Sequence, residues 1–358
     1  MENFNNFYRN KNVLVTGHTG FKGSWLSIWL NELGANVIGY SLDPYTNKDN
    51  FILSNLNNKV IDIRGDLRNK EKLREVFKKY EPEVVFHLAA QPLVRLSYEI
   101  PVETYEVNLI GTLNVLECIR KTKKTQIGIM ITTDKCYENK EKMEGYKETD
   151  PMGGYDPYSS SKGCAELAIS SWRRSFLNPK NYNKHKTSVA SVRAGNVIGG
   201  GDWSKDRIIP DCINALEKGK EIEIRSPKAI RPWQHVLEPL YGYLMLGERL
   251  FNDPIKFSGG WNFGPEEDSI INVWNIAKKI IKKYGKGNIK DISDSKKKHE
   301  ANILTLNINK AKSLLEWNPV LDIDQTIDFT VDWYKKYKTK NVYELCVDQI
   351  NKYCELKD

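Results

Sequence analysis

This sequence of 358 residues predicts an α/β fold: a doubly wound parallel sheet with a smaller C-terminal α/β lobe. Three observations carry the prediction. Short β-branched apolar runs alternate with stretches of helical spacing through the first half of the chain. The first of those runs is closed at once by glycines at positions 17, 20 and 23. After Gly195 the pattern loosens into short apolar pieces set between Gly, Pro and charged turns. Strands alternating with helices of this length imply a parallel sheet covered on both faces.

The run Asn12-Val13-Leu14-Val15-Thr16 is short, β-branched and stopped by Gly17, so it reads as a buried strand. Ser24 to Leu33 carries apolar residues at helical spacing and Gly34 ends it. Residues 36–42 form a second strand. The cycle repeats, with strands expected over 60–63, 84–88, 127–132 and 188–193. Between them the spacing predicts helices over 70–80, 102–122 and 158–176. Later helices are expected at 208–218, 237–250 and 273–284. The tail, 342–358, reads as a helix that packs on the body or on another subunit. No internal repeat or low-complexity linker divides the chain, so residues 1–195 and 196–358 are expected as a larger and a smaller packed unit with interleaved segments.

Composition narrows the class. An apolar fraction of 40% with 11% aromatics excludes a disordered chain. The net charge of +8 comes largely from scattered lysines, which marks a solvated surface and not a nucleic-acid groove. Lys296-Lys297-Lys298 is the best case for a basic patch and reads as a loop. The six cysteines include no C-x-x-C pair and no His partner at zinc spacing, so reduced thiols are expected and no metal site is. Met1 to Lys11 is polar, and nowhere do about 18 apolar residues run together. A cytoplasmic protein with no membrane or nucleic-acid partner is the expectation.

The chemistry begins at Thr16-Gly17-His18-Thr19-Gly20-Phe21-Lys22-Gly23, between a strand and a helix. Glycines there permit a tight turn, let backbone N–H groups reach a pyrophosphate, and allow close helix–strand packing. The helix N-terminus adds donors and a positive dipole end. Asp43 follows Gly23 by twenty positions at the end of the second strand, where an acid binds a ribose 2′-hydroxyl and repels a 2′-phosphate. That favours NAD over NADP; the same residue also reads as an ordinary turn aspartate before Pro44. Asp66 follows the third strand, where an acid can accept from an adenine amino group. Thr133-Asp134-Lys135 follows another strand, facing the crevice where such sheets bind ligands. In Tyr158-Ser159-Ser160-Ser161-Lys162, the phenol and ammonium share one helix face. A nearby cation favours phenolate, which lets tyrosine take a proton from an alcohol as hydride leaves.

Together the glycine turn, His87-Leu88-Ala89-Ala90, Asn108, and Tyr158 with Lys162 resemble the extended short-chain dehydrogenase/reductase family, also called NAD-dependent epimerases and dehydratases. Within it, Thr133-Asp134 is similar to the signature of nucleotide-sugar 4,6-dehydratases, with Lys135 where a glutamate is common. The resemblance runs through nearly the whole chain. It implies a Rossmann-type NAD-binding domain over 1–195, and a 196–358 segment that is mainly the nucleotide-sugar-binding lobe. It implies a redox-neutral hydro-lyase reaction in which C4 is oxidised, water leaves across C5–C6, and the stored hydride returns to C6. The strings Thr132 to Tyr137, Gly153 to Cys164, Arg193 to Trp203 and Arg231 to Pro239 resemble those of members that act on CDP-glucose, and so imply it as the substrate. The product would be a precursor of dideoxy sugars in bacterial O-antigen and lipopolysaccharide.

By the same resemblance the catalytic residues are Thr133, Asp134, Lys135, Tyr158 and Lys162. Tyr158 takes the C4 hydroxyl proton, Thr133 binds near the sugar's 4-oxygen, and Asp134 protonates the departing C6 hydroxyl. Lys135 is either the C5 base, which requires it to be neutral, or a cation that stabilises the enolate. NAD contacts fall to Gly17, Thr19, Gly20, Phe21, Lys22, Gly23, Asp43, Asp66, Leu67, Leu88, Ala89, Ala90, Gln91 and Asn108, besides Tyr158 and Lys162. Substrate contacts fall to Asn196, Arg207, Arg231 and His235, although His235, Trp203 and Trp233 also read as packing residues. Relatives pair through two long helices, so a homodimer or homotetramer is expected. The rivals are a nucleotide-sugar 4-epimerase, which needs no acid to expel the C6 hydroxyl, a dehydratase for another nucleotide, and an NAD-binding regulatory protein that has lost the chemistry.

Overall fold

The computed structural model describes residues 3–293 and 303–357, so Lys296-Lys297-Lys298 and the last residue of the expected tail helix lie outside the described residues. Seven parallel strands form one sheet: β1 (Asn12–Thr16), β2 (Asn36–Ser41), β3 (Ile61–Arg64), β4 (Val84–His87), β5 (Ile127–Ile131), β6 (Ser188–Ala194) and β7 (Gly259–Phe263). Their order is 3-2-1-4-5-6-7. The sheet is doubly wound, with the order reversing between β1 and β4, and that reversal opens a crevice at the strands' C-terminal ends.

Alternation along each strand feeds two cores. Val13, Val15, Val84 and Phe86 face one apolar layer, while Leu14, Val85, Ile38 and Tyr40 face the other. Both faces are covered by helices, which is why these strands read as continuous apolar runs. Helix α1 (Phe21–Glu32) is buried nearly all round, because the C-terminal helix closes over its outer side. Trp29 packs edge-on against Tyr353, and Asn31 donates to the Tyr343 hydroxyl at 2.7 Å. The tail therefore packs on the body.

Helix α2 (Lys70–Tyr80) begins at an Asn69 cap that accepts from the Lys72 amide. The expected long helix over 102–122 is a continuous run with one wide turn: Pro101–Tyr105, a π turn at Glu106–Ile110, then α3 (Gly111–Lys121). A residue larger than Gly111 would place its Cβ 2.9 Å from that of Leu67, so the helix runs close past that loop. Helix α4 (Pro157–Ser175) starts from an Asp156 cap that accepts from the Ser159 amide.

Beyond β6 come α5 (Ile208–Glu217), α6 (Leu237–Asn252), α7 (Val273–Tyr284), α8 (Ile323–Lys336) and α9 (Val342–Glu355). Among the elements not read from the sequence, two stand out. Strand β7 begins Gly259-Gly260, which masks its β pattern, yet Trp261 and Phe263 are fully buried. Helix α8 carries an Asp322–Gln325 capping box that marks its start. Because β7 pairs with β6, residues after 196 contribute to the main sheet. Three two-stranded ribbons complete the smaller region. Among the described residues no helix is long and apolar enough to cross a membrane.

Candidate active site

The glycine turn sits at the strand-order reversal. The Leu88 amide donates to the Thr16 carbonyl at 3.1 Å, and the Ala89 amide to Thr16 Oγ1 at 3.2 Å, which ties the ends of β1 and β4 together. Gly17 has φ +78°, and a Cβ there would lie 2.7 Å from the Ala89 nitrogen. A Cβ on Gly23 would lie 2.0 Å from the Gly17 carbonyl oxygen. Gly20 caps α1 with no side-chain hydrogen bond, so the first amides of that helix are left to an incoming anion. The bare α-carbons and uncapped amides form a cradle that fits a dinucleotide pyrophosphate.

This geometry separates two glycines. Gly23→Ala is expected to break the turn and to weaken NAD binding by tenfold or more, read by titration calorimetry beside a thermal melt. Gly20→Ala, whose Cβ would sit 3.4 Å from the Gly17 oxygen, is expected to cost much less.

Other residues of the expected cofactor set have structural partners. Thr19 is buried, with Oγ1 2.8 Å from Ser41 Oγ and donating to the Leu42 carbonyl, so it stitches the turn to β2. Phe21 and Lys22 are half-buried at the helix start. Asp43 is exposed and lies 3.5 Å from the Arg64 guanidinium, which Asp62 anchors at 2.8 Å. Asp66 accepts from the backbone and guanidinium of Arg68, and those bonds hold its carboxyl below the usual range. Leu67 is buried against Gly111. Asn108, on the π turn, accepts from the Gln91 amide at 2.8 Å, and donates to the Gln91 carbonyl and to Ser161 Oγ. It thereby holds the Leu88–Gln91 segment against α4.

The second cluster gathers over the ends of β5 and β6. Tyr158 is buried, with its hydroxyl hydrogen-bonded to Thr133, and burial pushes its phenol up to about 12. Lys162 is buried beneath, its Nζ 3.5 Å from the Ile131 carbonyl, and burial pulls its amine down to about 8. Asp134 is wholly buried: Oδ1 accepts from Thr133 Oγ1 at 2.9 Å and from Lys135 Nζ at 3.3 Å. Its Oδ2 has no partner among the described residues. A Cβ on Gly195 would fall 1.8 Å from that oxygen, so glycine is what admits the carboxylate.

Lys22 belongs to this cluster as much as to the turn. Burial, and the nearby charges of Arg207 and Lys162, bring its amine down to about 7, while Asp134 opposes the shift. Arg207 is held charged by Asp202 at 3.0 Å. A pocket with this many cations around one carboxylate suits a ligand bearing a diphosphate.

The remaining expected substrate residues part company. Asn196 follows Gly195 at φ +48°, and its buried Nδ2 is unpartnered among the described residues. Arg231 lies on the Ile230–Pro232 ribbon strand and donates to the Ile230 carbonyl at 2.8 Å. His235 is sealed in the core between Trp25 and Phe329, and burial pulls its imidazole down to about 3, so it is a neutral packing residue here. Trp203 and Trp233 are buried as well.

Sequence reasoning missed what lies underneath. Glu166 is buried and accepts from Arg193 at 3.0 and 2.8 Å, from Thr132 and from Ser191. Its signal was available: it stands one helical turn beyond Lys162, on the same face as the Tyr158–Lys162 pair.

The fold and this site define a class. The chain belongs to the family whose model is described as GDP-mannose 4,6 dehydratase, which matches residues 14–330. CDP-glucose 4,6-dehydratase of Salmonella typhimurium is 50% identical over 332 residues, covering 93% of this chain and 92% of that one. CDP-paratose 2-epimerase of Salmonella typhi is 25% identical over 341 residues, covering 90% of this chain and 98% of that one. Among solved structures, UDP-glucose 4-epimerase of Thermotoga maritima has a TM-score of 0.76 at 23% identity, covering 91% of this chain and 99% of that one. The dTDP-glucose 4,6-dehydratase of Bacillus anthracis in complex with NAD has a TM-score of 0.74 at 23% identity, covering 91% and 97%. These two structures share the fold.

Proposed function

We propose that this chain is a CDP-glucose 4,6-dehydratase, converting CDP-glucose to CDP-4-keto-6-deoxyglucose and water with NAD held throughout. The observation that carries the choice of substrate is the 50% identity to the Salmonella enzyme over 93% of the chain. The glycine cradle, Ala89, Asn108 through Gln91, Tyr158 and Lys162 would hold the dinucleotide. When bound, NAD supplies a hydride acceptor for C4 and a hydride donor for C6.

The chain's own residues then move protons. Tyr158, as the phenolate that the Lys162 charge favours, takes the C4 hydroxyl proton and becomes the phenol. Thr133, bonded to both Tyr158 and Asp134, sits where the 4-oxygen is placed. Lys135 Nζ lies 3.3 Å from Asp134 Oδ1, close enough for a proton to pass between them. With the proton on Asp134, Lys135 is a neutral amine that can take the C5 proton. Asp134 gives its proton to the leaving C6 oxygen as the C6–O bond breaks and C5=C6 forms. As hydride returns to C6, Lys135 gives its proton back to C5, and the proton that Tyr158 took from the C4 hydroxyl passes by way of Thr133 to restore Asp134.

Lys135 variants separate base from cation. Lys135→Gln is expected to lower turnover by about 10²–10⁴-fold, with Lys135→Glu recovering part of it because a carboxylate can also accept the proton. A cationic role would make the glutamate variant the worse of the two. For the whole reading, purified protein with NAD is incubated with CDP-, GDP-, UDP- and dTDP-linked hexoses and the products are weighed by mass spectrometry. Loss of one water from CDP-glucose with no net NADH is expected. An unchanged mass with altered sugar configuration would mean an epimerase.

The same reading places the enzyme in the cytoplasm, in keeping with six free thiols. It also takes the chain as a homodimer or homotetramer paired through the helices at 101–121 and 157–175. Val102, Ile110 and Leu167 are exposed apolar side chains on those helices. Leu167→Arg is expected to leave a folded monomer by light scattering.

A further inference from the structure

Behind the Asp134 carboxylate lies a polar arrangement that the catalytic roles above do not use. Gln234 is buried on the short strand Gln234–His235, which pairs with Val197–Ile198. Its Nε2 donates to two backbone carbonyls, Gly195 O and Phe263 O, both at 3.0 Å. Its own amide donates to the Asn196 carbonyl at 3.3 Å. Its Oε1 has no partner among the described residues. A glutamine serving only the core would be expected to satisfy both ends of its amide. This one spends its donors on fixing two carbonyls and leaves its acceptor open.

What those bonds fix is the segment against which the acid rests. Gly195 ends the β6 run, and its α-carbon has no space for a Cβ beside Asp134 Oδ2. Asn196, next in sequence, is held at φ +48°, a left-handed conformation that a non-glycine residue keeps only under constraint from its surroundings. Phe263 closes β7 alongside β6. Gln234 therefore ties three things to one another: the end of β7, the strained turn after β6, and the bare α-carbon under the carboxylate.

We infer that Gln234 is a positioning residue for the Asp134 carboxylate, holding Gly195 so that Oδ2 meets the leaving C6 oxygen. The inference rests on the proposed dehydratase reaction and assigns a residue to its elimination step. That step needs one proton from Asp134 to the C6 oxygen, while C4 oxidation uses Tyr158 and needs nothing from Gln234. Loosening Gly195 should slow elimination and leave oxidation running, so reduced nicotinamide would build up during turnover.

The test compares wild type, Gln234→Met, which keeps length and loses both N–H donors, and Gly195→Ala, which crowds the carboxylate directly. Each is mixed with NAD and CDP-glucose, and the near-ultraviolet band of reduced nicotinamide is followed beside product mass and thermal midpoint. For both variants kcat is expected to fall about ten- to a hundredfold, with KM changed by less than about threefold and reduced nicotinamide accumulating. A fall in kcat without that accumulation, an unchanged kcat, or failure of both variants to fold would overturn the assignment. Should wild type itself remove no water from CDP-glucose, the reading of the function fails. Should wild type do so while neither variant accumulates reduced nicotinamide, only the role of Gln234 fails.

Discussion

Tyr158→Phe is expected to reduce turnover of CDP-glucose by about 10²–10⁴-fold while leaving the thermal midpoint and NAD affinity close to wild type. The ring stays in place, because its position depends on the start of α4, where the Tyr158 amide donates to Ser97 Oγ at 3.2 Å. Only the hydroxyl is lost, and with it the bond to Thr133. Burial holds the phenol near 12 and the Lys162 amine near 8, so at neutral pH the protein keeps a neutral phenol over a charged lysine. Proton removal from the C4 hydroxyl needs the phenolate and the lysine's charge together, so activity is expected to rise with pH to about 8 and to level off above it, where the gain of phenolate is offset by the loss of lysine charge. A pH profile of kcat/KM checks this, and Lys162→Met should remove the levelling near 8.

The same shifts set a sign for stability. Lys162 titrates lower in the native protein than its ordinary value of 10.5, so between about 8 and that value the unfolded chain binds the extra proton. Its contribution to stability therefore rises with pH across that window. Tyr158 titrates higher than its ordinary 10.0, so its contribution falls as pH rises from there towards about 12.

Arg193→Met is expected to lower unfolding free energy by about 3–5 kcal/mol, measured by urea denaturation. Arg193 and Glu166 are both buried and doubly hydrogen-bonded to each other. Removing the guanidinium leaves a buried carboxylate hydrogen-bonded only to the Thr132 and Ser191 hydroxyls among the described residues. The Arg193→Met/Glu166→Leu double variant should recover much of the loss, because no charge is then left unpaired. The exposed Arg74–Glu71 pair offers the contrast: Arg74→Ala should change stability by about 1 kcal/mol or less. Thr132 precedes Thr133, so the single variant is expected to cost activity as well as stability. Arg193 also donates to the Tyr137 hydroxyl and the Glu148 carbonyl, which ties the loop after β5 to the same guanidinium.

Much of the site was legible because its chemistry is local. Gly17, Gly20 and Gly23 occupy one turn, and Tyr158 with Lys162 one helical turn, so spacing alone placed them together. His235 shows the limit. It sits in a string that resembles a substrate-binding segment, yet its ring packs between Trp25 and Phe329, residues 210 positions before it and 94 after it. Asp66 stands where an acid could meet adenine, and it also accepts from the Arg68 guanidinium two residues on. Strand β7 was hidden because Gly259-Gly260 carries no β pattern; its place is set by pairing with β6.

By itself the sequence determined the parallel α/β class, the two-faced sheet, the dinucleotide turn and the tyrosine–lysine pair. Each of these depends on side-chain period or on residues within a turn or two of one another. Only the tertiary structure decided that Gly195 makes room for Asp134, that Gln234 donates to the Gly195 carbonyl, that Lys22 lies near the charges of Arg207 and Lys162, and that Glu166 pairs with Arg193. Those contacts join segments 27 to 185 residues apart. What brings them together is the order of strands in the sheet, and no local spacing encodes that order.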